Sequence, residues 1–231
     1  MIVSQAAVYA KALRAELRLR GRVDLHKIAE TLNLSIREKD LVGCDGALLR
    51  SMTGSKGIIV VKQSIREFGR KRFTIAHELG HLMLEGGSAA CISSDIGQWS
   101  DTKKSEKDAD EFAAELLIPS DEVQAIINSE KPSLQLISRV AEQYETSLSA
   151  SGWRYCDIVS VPCAIVWSTN QIVQWFRKSD SFNFFLRRGV GVPEASYAMA
   201  AYKGKRPPEQ PEPVHAGEWI EHSRLLDGAE I

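Results

Sequence analysis

The stretch Arg72-Phe73-Thr74-Ile75-Ala76-His77-Glu78-Leu79-Gly80-His81-Leu82-Met83-Leu84 decides how the rest of the chain is organised. Its centre is His-Glu-x-x-His. Phe73, Ile75, Ala76, Leu79, Leu82 and Met83 recur at helical spacing, so the segment is expected to be a helix buried along one stripe. Gly86-Gly87 is expected to stop it. On a helix, His77 and His81 are i and i+4, and both imidazoles leave one face a turn apart. One metal ion can then bind both. Glu78 is rotated about 100° from His77, where it reaches a metal-bound water without being a ligand. Two neutral imidazoles with a neighbouring carboxylate form the zinc hydrolase arrangement.

Catalytic zinc takes three protein ligands and a water. A second motif supplies acids: Ser105-Glu106-Lys107-Asp108-Ala109-Asp110-Glu111-Phe112-Ala113-Ala114-Glu115-Leu116-Leu117-Ile118-Pro119. Ser105 is placed as an N-cap, with Asp108 at the third helical position as in a capping box. Ala109, Phe112, Ala113, Leu116 and Leu117 form the apolar stripe, and Pro119 closes the helix. Glu106 and Asp110 share a face. If Glu106 binds zinc, Asp110 points the same way one turn deeper, where it could accept the N–H of a ligating imidazole and fix its tautomer. Asp108, Glu111 and Glu115 turn away and are expected to be exposed. The intervening stretch from Ser88 to Lys104 is polar and is expected to be an irregular link that could line the cleft.

With 231 residues the chain is long enough for one large domain or two small ones. Its formal charge of −1 supplies no global attraction for nucleic acid or an anionic membrane. No apolar run approaches the roughly 20 residues that span a bilayer. The N-terminus, Met1-Ile2-Val3-Ser4-Gln5-Ala6-Ala7, lacks the basic segment and long apolar core of a signal peptide. Cys44, Cys91, Cys156 and Cys163 contain no CxxC and are expected to be free thiols. The expected location is cytoplasmic.

Elsewhere, residues 4–19 have helical spacing, with Ala7, Ala10, Leu13 and Leu17 on one stripe. Asp24 is an expected N-cap for a second helix, 25–32. Leu34-Ser35-Ile36-Arg37, Ala47-Leu48-Leu49-Arg50 and Ile58-Ile59-Val60-Val61 are separated by turns at Gly43-Cys44-Asp45-Gly46 and Thr53-Gly54-Ser55-Lys56-Gly57. They predict a small, mostly antiparallel sheet of three strands. Lys62, Arg66, Arg70, Lys71 and Arg72 make a basic run, expected to be a solvated helix face, with attraction for an acidic substrate segment as the alternative. Residues 134–154 predict two helices around a Glu145-Thr146-Ser147 turn. With Arg154 as the one basic residue on the second helix, this unit has little to offer phosphates, so DNA binding is not expected. Beyond Cys156 the pattern predicts a hairpin, 163–167 and 172–176, turning at Thr169-Asn170. A helix is expected over 182–186, short strands at 190–192 and 218–222, and a proline-rich loop over 205–217. His26, His215 and His222 are expected at the surface.

The first motif, followed by Glu106-x-x-Ala109-Asp110-x-Phe112-Ala113-Ala114-x-Leu116-Leu117-Ile118-Pro119, resembles the ImmA/IrrE family of metallopeptidases. The likeness extends back through Val23-Asp24-Leu25-x-x-Ile28-Ala29-Glu30 and covers roughly residues 20–125. The two motifs at this separation are specific. Ile118 stands where the family commonly has Met, a volume-conserving change. The resemblance implies an α+β, zincin-like domain with a small sheet and the HExxH helix (1–129); the residue pattern beyond it is read as a helix-turn-helix-like connector (130–156) and an accessory α/β module (157–231). It implies Zn²⁺ on His77, His81 and Glu106, Glu78 as catalytic acid/base and Asp110 behind the ligands. It also implies cleavage of a helix-turn-helix repressor. A non-enzymatic regulator that binds a transcription factor through a zinc-stabilised fold is the rival expectation. Tyr144, Arg154, Tyr155 and His215 are candidates for the oxyanion donor, and the oligomeric state is open.

Overall fold

Side-chain caps set the first two helices. In this computed structural model, which describes residues 4–51, 55–85 and 99–220, α1 spans Gln5–Glu16 and Ser4 Oγ accepts the Ala7 N–H at 3.2 Å. Asp24 does the same for α2 (Leu25–Thr31), accepting the N–H groups of His26 and Lys27. Asn33, at a φ of 58°, turns the chain out of α2 into the sheet; asparagine tolerates this left-handed conformation better than most residues.

The sheet contains β1 (Leu34–Lys39), β2 (Gly46–Arg50) and β3 (Gly57–Lys62) in the order β1-β3-β2. β3 pairs antiparallel with β2, from Gly46 opposite Val61 to Arg50 opposite Gly57. It pairs parallel with β1, from Leu34 opposite Gly57 to Lys39 opposite Lys62. The sheet is therefore mixed, where a mostly antiparallel one is expected from the turns. The cause is composition. Ile59, Val60 and Val61 are buried, and this most apolar strand takes the centre. The more polar β1 and β2 are left at the edges, so the chain crosses from one side of β3 to the other between them.

Helix α3 (Phe68–Glu85) packs on α4 (Trp99–Leu117) and on β2 and β3, and α1 packs on α4. Ala76, Leu79, Ile59, Phe112, Ala113 and Leu116 are shut away from solvent. Buried Arg14 joins α1 to the end of α4, donating to the Leu116 carbonyl at 2.8 Å and pairing with Glu122 at 2.9 Å. Glu115, expected to be exposed, is buried. It accepts both the backbone N–H and the hydroxyl of Ser120 at 3.0 Å, holding the start of α5 (Ser120–Asn128). The basic run is only partly a solvated face: Arg66 and Arg70 are exposed, but not every member is. Arg72 is buried and donates to the Val23 carbonyl at 2.9 Å, Lys71 pairs with Glu38 and Arg70 with Asp45.

Two helices follow, α6 (Leu134–Tyr144) and α7 (Leu148–Ile158), around a turn in which Glu145 has a φ of 51°. The chain forms two compact units: Met1–Ala125 with Ser138–Ser151, and Ile126–Ile137 with Gly152–Ile231. In the second unit β4 (Ala164–Thr169) and β5 (Ile172–Lys178) make the expected hairpin. Asn170 and Gln171 both have positive φ, 51° and 63°, which suits a two-residue hairpin loop to the twist of its strands. Trp167 and Trp175 stack at 5.9 Å, Trp153 meets Trp175 edge-on at 5.8 Å, and the Arg177 guanidinium covers Trp153 at 5.1 Å.

Residues 182–186 are not helical. Lys178 Nζ takes the Phe184 carbonyl at 2.7 Å, and the rings of Phe182 and Phe184 meet at 5.5 Å; aromatic residues and asparagine have little helical preference to oppose this. Residues 190–192 form a single bridge, Gly191 to Ile172. Ser196 caps α8 (Tyr197–Tyr202), and a short 3-10 turn, Ala216–Glu218, replaces the start of the expected final strand. His26 and His215 are exposed as expected. The expectations placed on Met1–Val3, on Thr53-Gly54, on Gly86-Gly87, on residues 88–98 with Cys91, and on 221–222 with His222 lie outside the described residues.

Candidate metal centre

Two glycines allow the elements around the site to touch. A Cβ on Gly80 would lie 3.0 Å from Ala109 Cα and 3.1 Å from its carbonyl oxygen, so α3 and α4 cross backbone to backbone. A Cβ on Gly46 would lie 2.7 Å from Glu78 Oε1 and 2.5 Å from Thr74 Cγ2, so β2 starts directly against α3. Larger residues at either point would hold the elements apart.

The crossing brings α4 carboxylates onto the histidines of α3. His77 Nε2 lies 3.0 Å from His81 Nε2 and 3.2 Å from Glu106 Oε2. His81 Nε2 is 3.5 Å from Glu106 Oε1. One ligand atom from each of the three lies within 4.8 Å of the others, the one such group among the described residues. With Zn–N and Zn–O near 2.1 Å, tetrahedral ligand atoms stand about 3.4 Å apart, close to these spacings. Two imidazole nitrogens facing each other at 3.0 Å repel unless a proton or cation lies between them.

The other ring nitrogens are also engaged. His77 Nδ1 is 2.9 Å from Asp110 Oδ1, an acceptor that would keep the proton on Nδ1 and release Nε2 to an ion bound between His77, His81 and Glu106. His81 Nδ1 is 3.4 Å from Ser105 Oγ. This serine is not an N-cap, because α4 begins at Trp99 and Ser105 lies inside it. Its site position follows from the helix running about two turns further back than the capping pattern suggests. Helical spacing gave no sign of it, since Ser105 is one residue from Glu106 and five from Asp110.

Glu78 stands apart from the ligand group, as its one-residue rotation requires. It is 1% exposed. Burial raises its carboxyl above the usual range, against the pull of His77 and His81, and it also accepts the Leu48 backbone N–H. Its Oε2 is buried without a hydrogen-bond partner among the described residues. Glu106 is held well below the ordinary carboxylate range by its hydrogen bonds to His77 and His81. His81 is 2% exposed and the side chain of Glu106 51%, so the cluster is closed on the α3 side and open on the other. Of the candidate oxyanion donors, Tyr144 is buried, with its phenol hydrogen-bonded to Glu122. Arg154, Tyr155 and His215 belong to the second unit.

Residues 29–154 match the IrrE N-terminal-like domain, a peptidase family. The chain belongs to this family. Peptidases of this family are typically metal-dependent, and among the described residues the His77, His81 and Glu106 group is the one that could hold an ion. No curated protein matches the chain. A solved Mycobacterium tuberculosis transcriptional regulator has a similar fold, with a TM-score of 0.52 at 14% identity over 79% of this chain. The chain spans 57% of that protein's length. Among the described residues no helix is long and apolar enough to cross a membrane.

Proposed function

We propose that this protein is a cytoplasmic, zinc-dependent endopeptidase whose substrate is a protein, a repressor of the helix-turn-helix class. The observation that carries the reading is Glu78: buried, its carboxyl raised by that burial, and one carboxylate oxygen without a hydrogen-bond partner among the described residues, beside the ligand cluster. A purely structural metal site has no use for that group, and an unpaired buried carboxylate oxygen costs stability unless something uses it.

His77, His81 and Glu106 would hold the ion, with Asp110 fixing the His77 tautomer. Zinc bound there supplies a water acidified toward neutral pH and polarises the scissile carbonyl. Glu78 takes the proton of the attacking water and returns it to the leaving amine. Burial favours the protonated form of Glu78, which suits a group that must hold a proton between those two events. Strand β2 is an edge of the sheet beside α3, and its outer edge, beyond the Leu48 N–H that Glu78 accepts, can align an extended peptide. Residues 130–156 serve as a helical connector and 157–231 as an accessory module that docks or senses.

The similarity in fold to a transcriptional regulator favours a second reading, a non-enzymatic regulator that binds a transcription factor through a zinc-stabilised fold. One experiment separates the two. Zinc-loaded protein is incubated with a helix-turn-helix repressor encoded beside its gene, and products are read by gel and mass spectrometry. Cleavage by wild type and not by Glu78→Gln supports the peptidase. A stable complex with intact repressor supports the regulator.

A further inference from the structure

Two cysteine sulfurs lie together in the second unit. Cys156, on the last turns of α7, is buried, and Cys163, just before β4, is half-buried beside the exposed Val161 and Pro162. Their Sγ atoms are 4.0 Å apart. A disulfide needs about 2.05 Å, so the two are free thiols here, as expected from the sequence. Bond formation would bring the two sulfurs about 2 Å closer.

Each cysteine is held from its own side. Cys163 donates its N–H to Ser179 Oγ at 3.0 Å and accepts the Ser179 N–H at 2.9 Å, which fixes it at the open end of the hairpin. Cys156 sits where Arg177 of β5 bonds Asp157, with its Sγ 3.5 Å from the Arg177 carbonyl oxygen. The pair therefore bridges the end of α7 and the start of β4 across six intervening residues.

We propose that Cys156 and Cys163 form a reversible oxidation site, closed to an intramolecular disulfide by a hydroperoxide. Cys163 attacks first. The hydrogen bond from Cys156 pulls its thiol below the usual range, whereas the same contact and burial hold Cys156 protonated. A low-pKa, accessible thiol beside a resolving thiol is the arrangement that oxidises selectively. The Cys163 thiolate attacks the peroxide; an S–O bond forms, the O–O bond breaks, and the departing hydroxide takes a proton to become water. Cys156 sulfur then attacks the Cys163 sulfenic sulfur. The S–S bond forms, the S–O bond breaks, and the Cys156 proton leaves with the hydroxide as a second water. The two thiols lose two electrons and the peroxide gains them; a dithiol reductant reverses the change by exchange.

The test uses the full chain, treated with hydrogen peroxide, then N-ethylmaleimide, then trypsin under non-reducing conditions. No Lys or Arg lies between Arg154 and Arg177, so both cysteines fall in one peptide, 155–177. The expected product is that peptide two hydrogens lighter and without maleimide, restored to two maleimides by prior dithiothreitol. In Cys156→Ser, dimedone should trap a sulfenic acid at Cys163. In Cys163→Ala, oxidation of Cys156 should slow by on the order of tenfold. Maleimide on both thiols of the oxidised wild type, or a bond from either to Cys44 or Cys91, overturns the proposal. The wild-type result stands whether or not the variants fold.

Discussion

Gly80 of α3 and Ala109 of α4 meet with no side chain between them on the glycine side, and this contact sets the distance from the two histidines to Glu106. Gly80→Ala places a methyl 3.0 Å from the Ala109 backbone, which cannot rotate away. It is expected to destabilise the protein by about 1–3 kcal/mol, measured by urea denaturation. Because the displacement separates α3 from α4, metal affinity should fall as well. Unchanged affinity in Gly80→Ala would show that Glu106 is not the third ligand.

Glu106→Ala is expected to lose most bound zinc by elemental mass spectrometry, while Glu78→Gln retains about one ion per chain. The difference follows from geometry, since Glu106 joins the three-residue group and Glu78 does not. Equal loss in both variants contradicts the division into ligand and acid/base.

Asp110→Ala leaves His77 Nδ1 without its 2.9 Å acceptor. Zinc affinity should drop by about 10–100-fold, read by competition with a chromophoric chelator. Ser105→Ala should cost less, because its contact to His81 is longer, at 3.4 Å. A larger effect from Ser105 than from Asp110 would reverse these assignments.

Glu78→Gln should make the metal-free protein more stable near pH 7. An acid whose folded pKa is raised by burial is disfavoured in its ionised form. Folding is therefore penalised at pH values above its unfolded pKa, increasingly so up to the folded value, and the penalty is absent in acid. Removing the charge lifts it. The thermal midpoint in EDTA should rise at pH 7 and converge with wild type as the pH falls toward 4; a lower midpoint at pH 7 refutes this.

Asp24 carries the opposite sign. Hydrogen bonds from the Lys27 and His26 N–H groups depress its carboxyl below 3.8. Its contribution to α2 is fully present above the unfolded value and is lost as pH falls through the lower folded value. Asp24→Ala should cost about 1 kcal/mol at neutral pH, and much less near pH 2. A constant difference across that range would mean the carboxylate charge is not what caps the helix.

The two motifs made the site legible because helical spacing is a local property. His77 and His81, and Glu106 and Asp110, share faces whatever the tertiary fold. What brings the two helices together is Gly80 against Ala109, and an isolated glycine in a helical pattern does not announce its partner. The parallel pairing of β1 with β3 was hidden for the same reason, since strand order depends on which strand the core claims. Glu115 reads as a surface acid because its partner, Ser120, belongs to the next helix. The Asn170-Gln171 loop was close to legible: Thr169-Asn170 marked the turn one residue early.

The tryptophan ladder gives the molecule a built-in optical division. Trp153, Trp167, Trp175 and Trp219 all belong to the second unit, and Trp99 is the one in the first. Intrinsic emission thus reports mainly on the hairpin end of the chain, whereas far-ultraviolet dichroism is weighted toward the helices α1 to α4 of the first unit. Followed together in a urea titration, the two signals read the unfolding of each unit without any attached label.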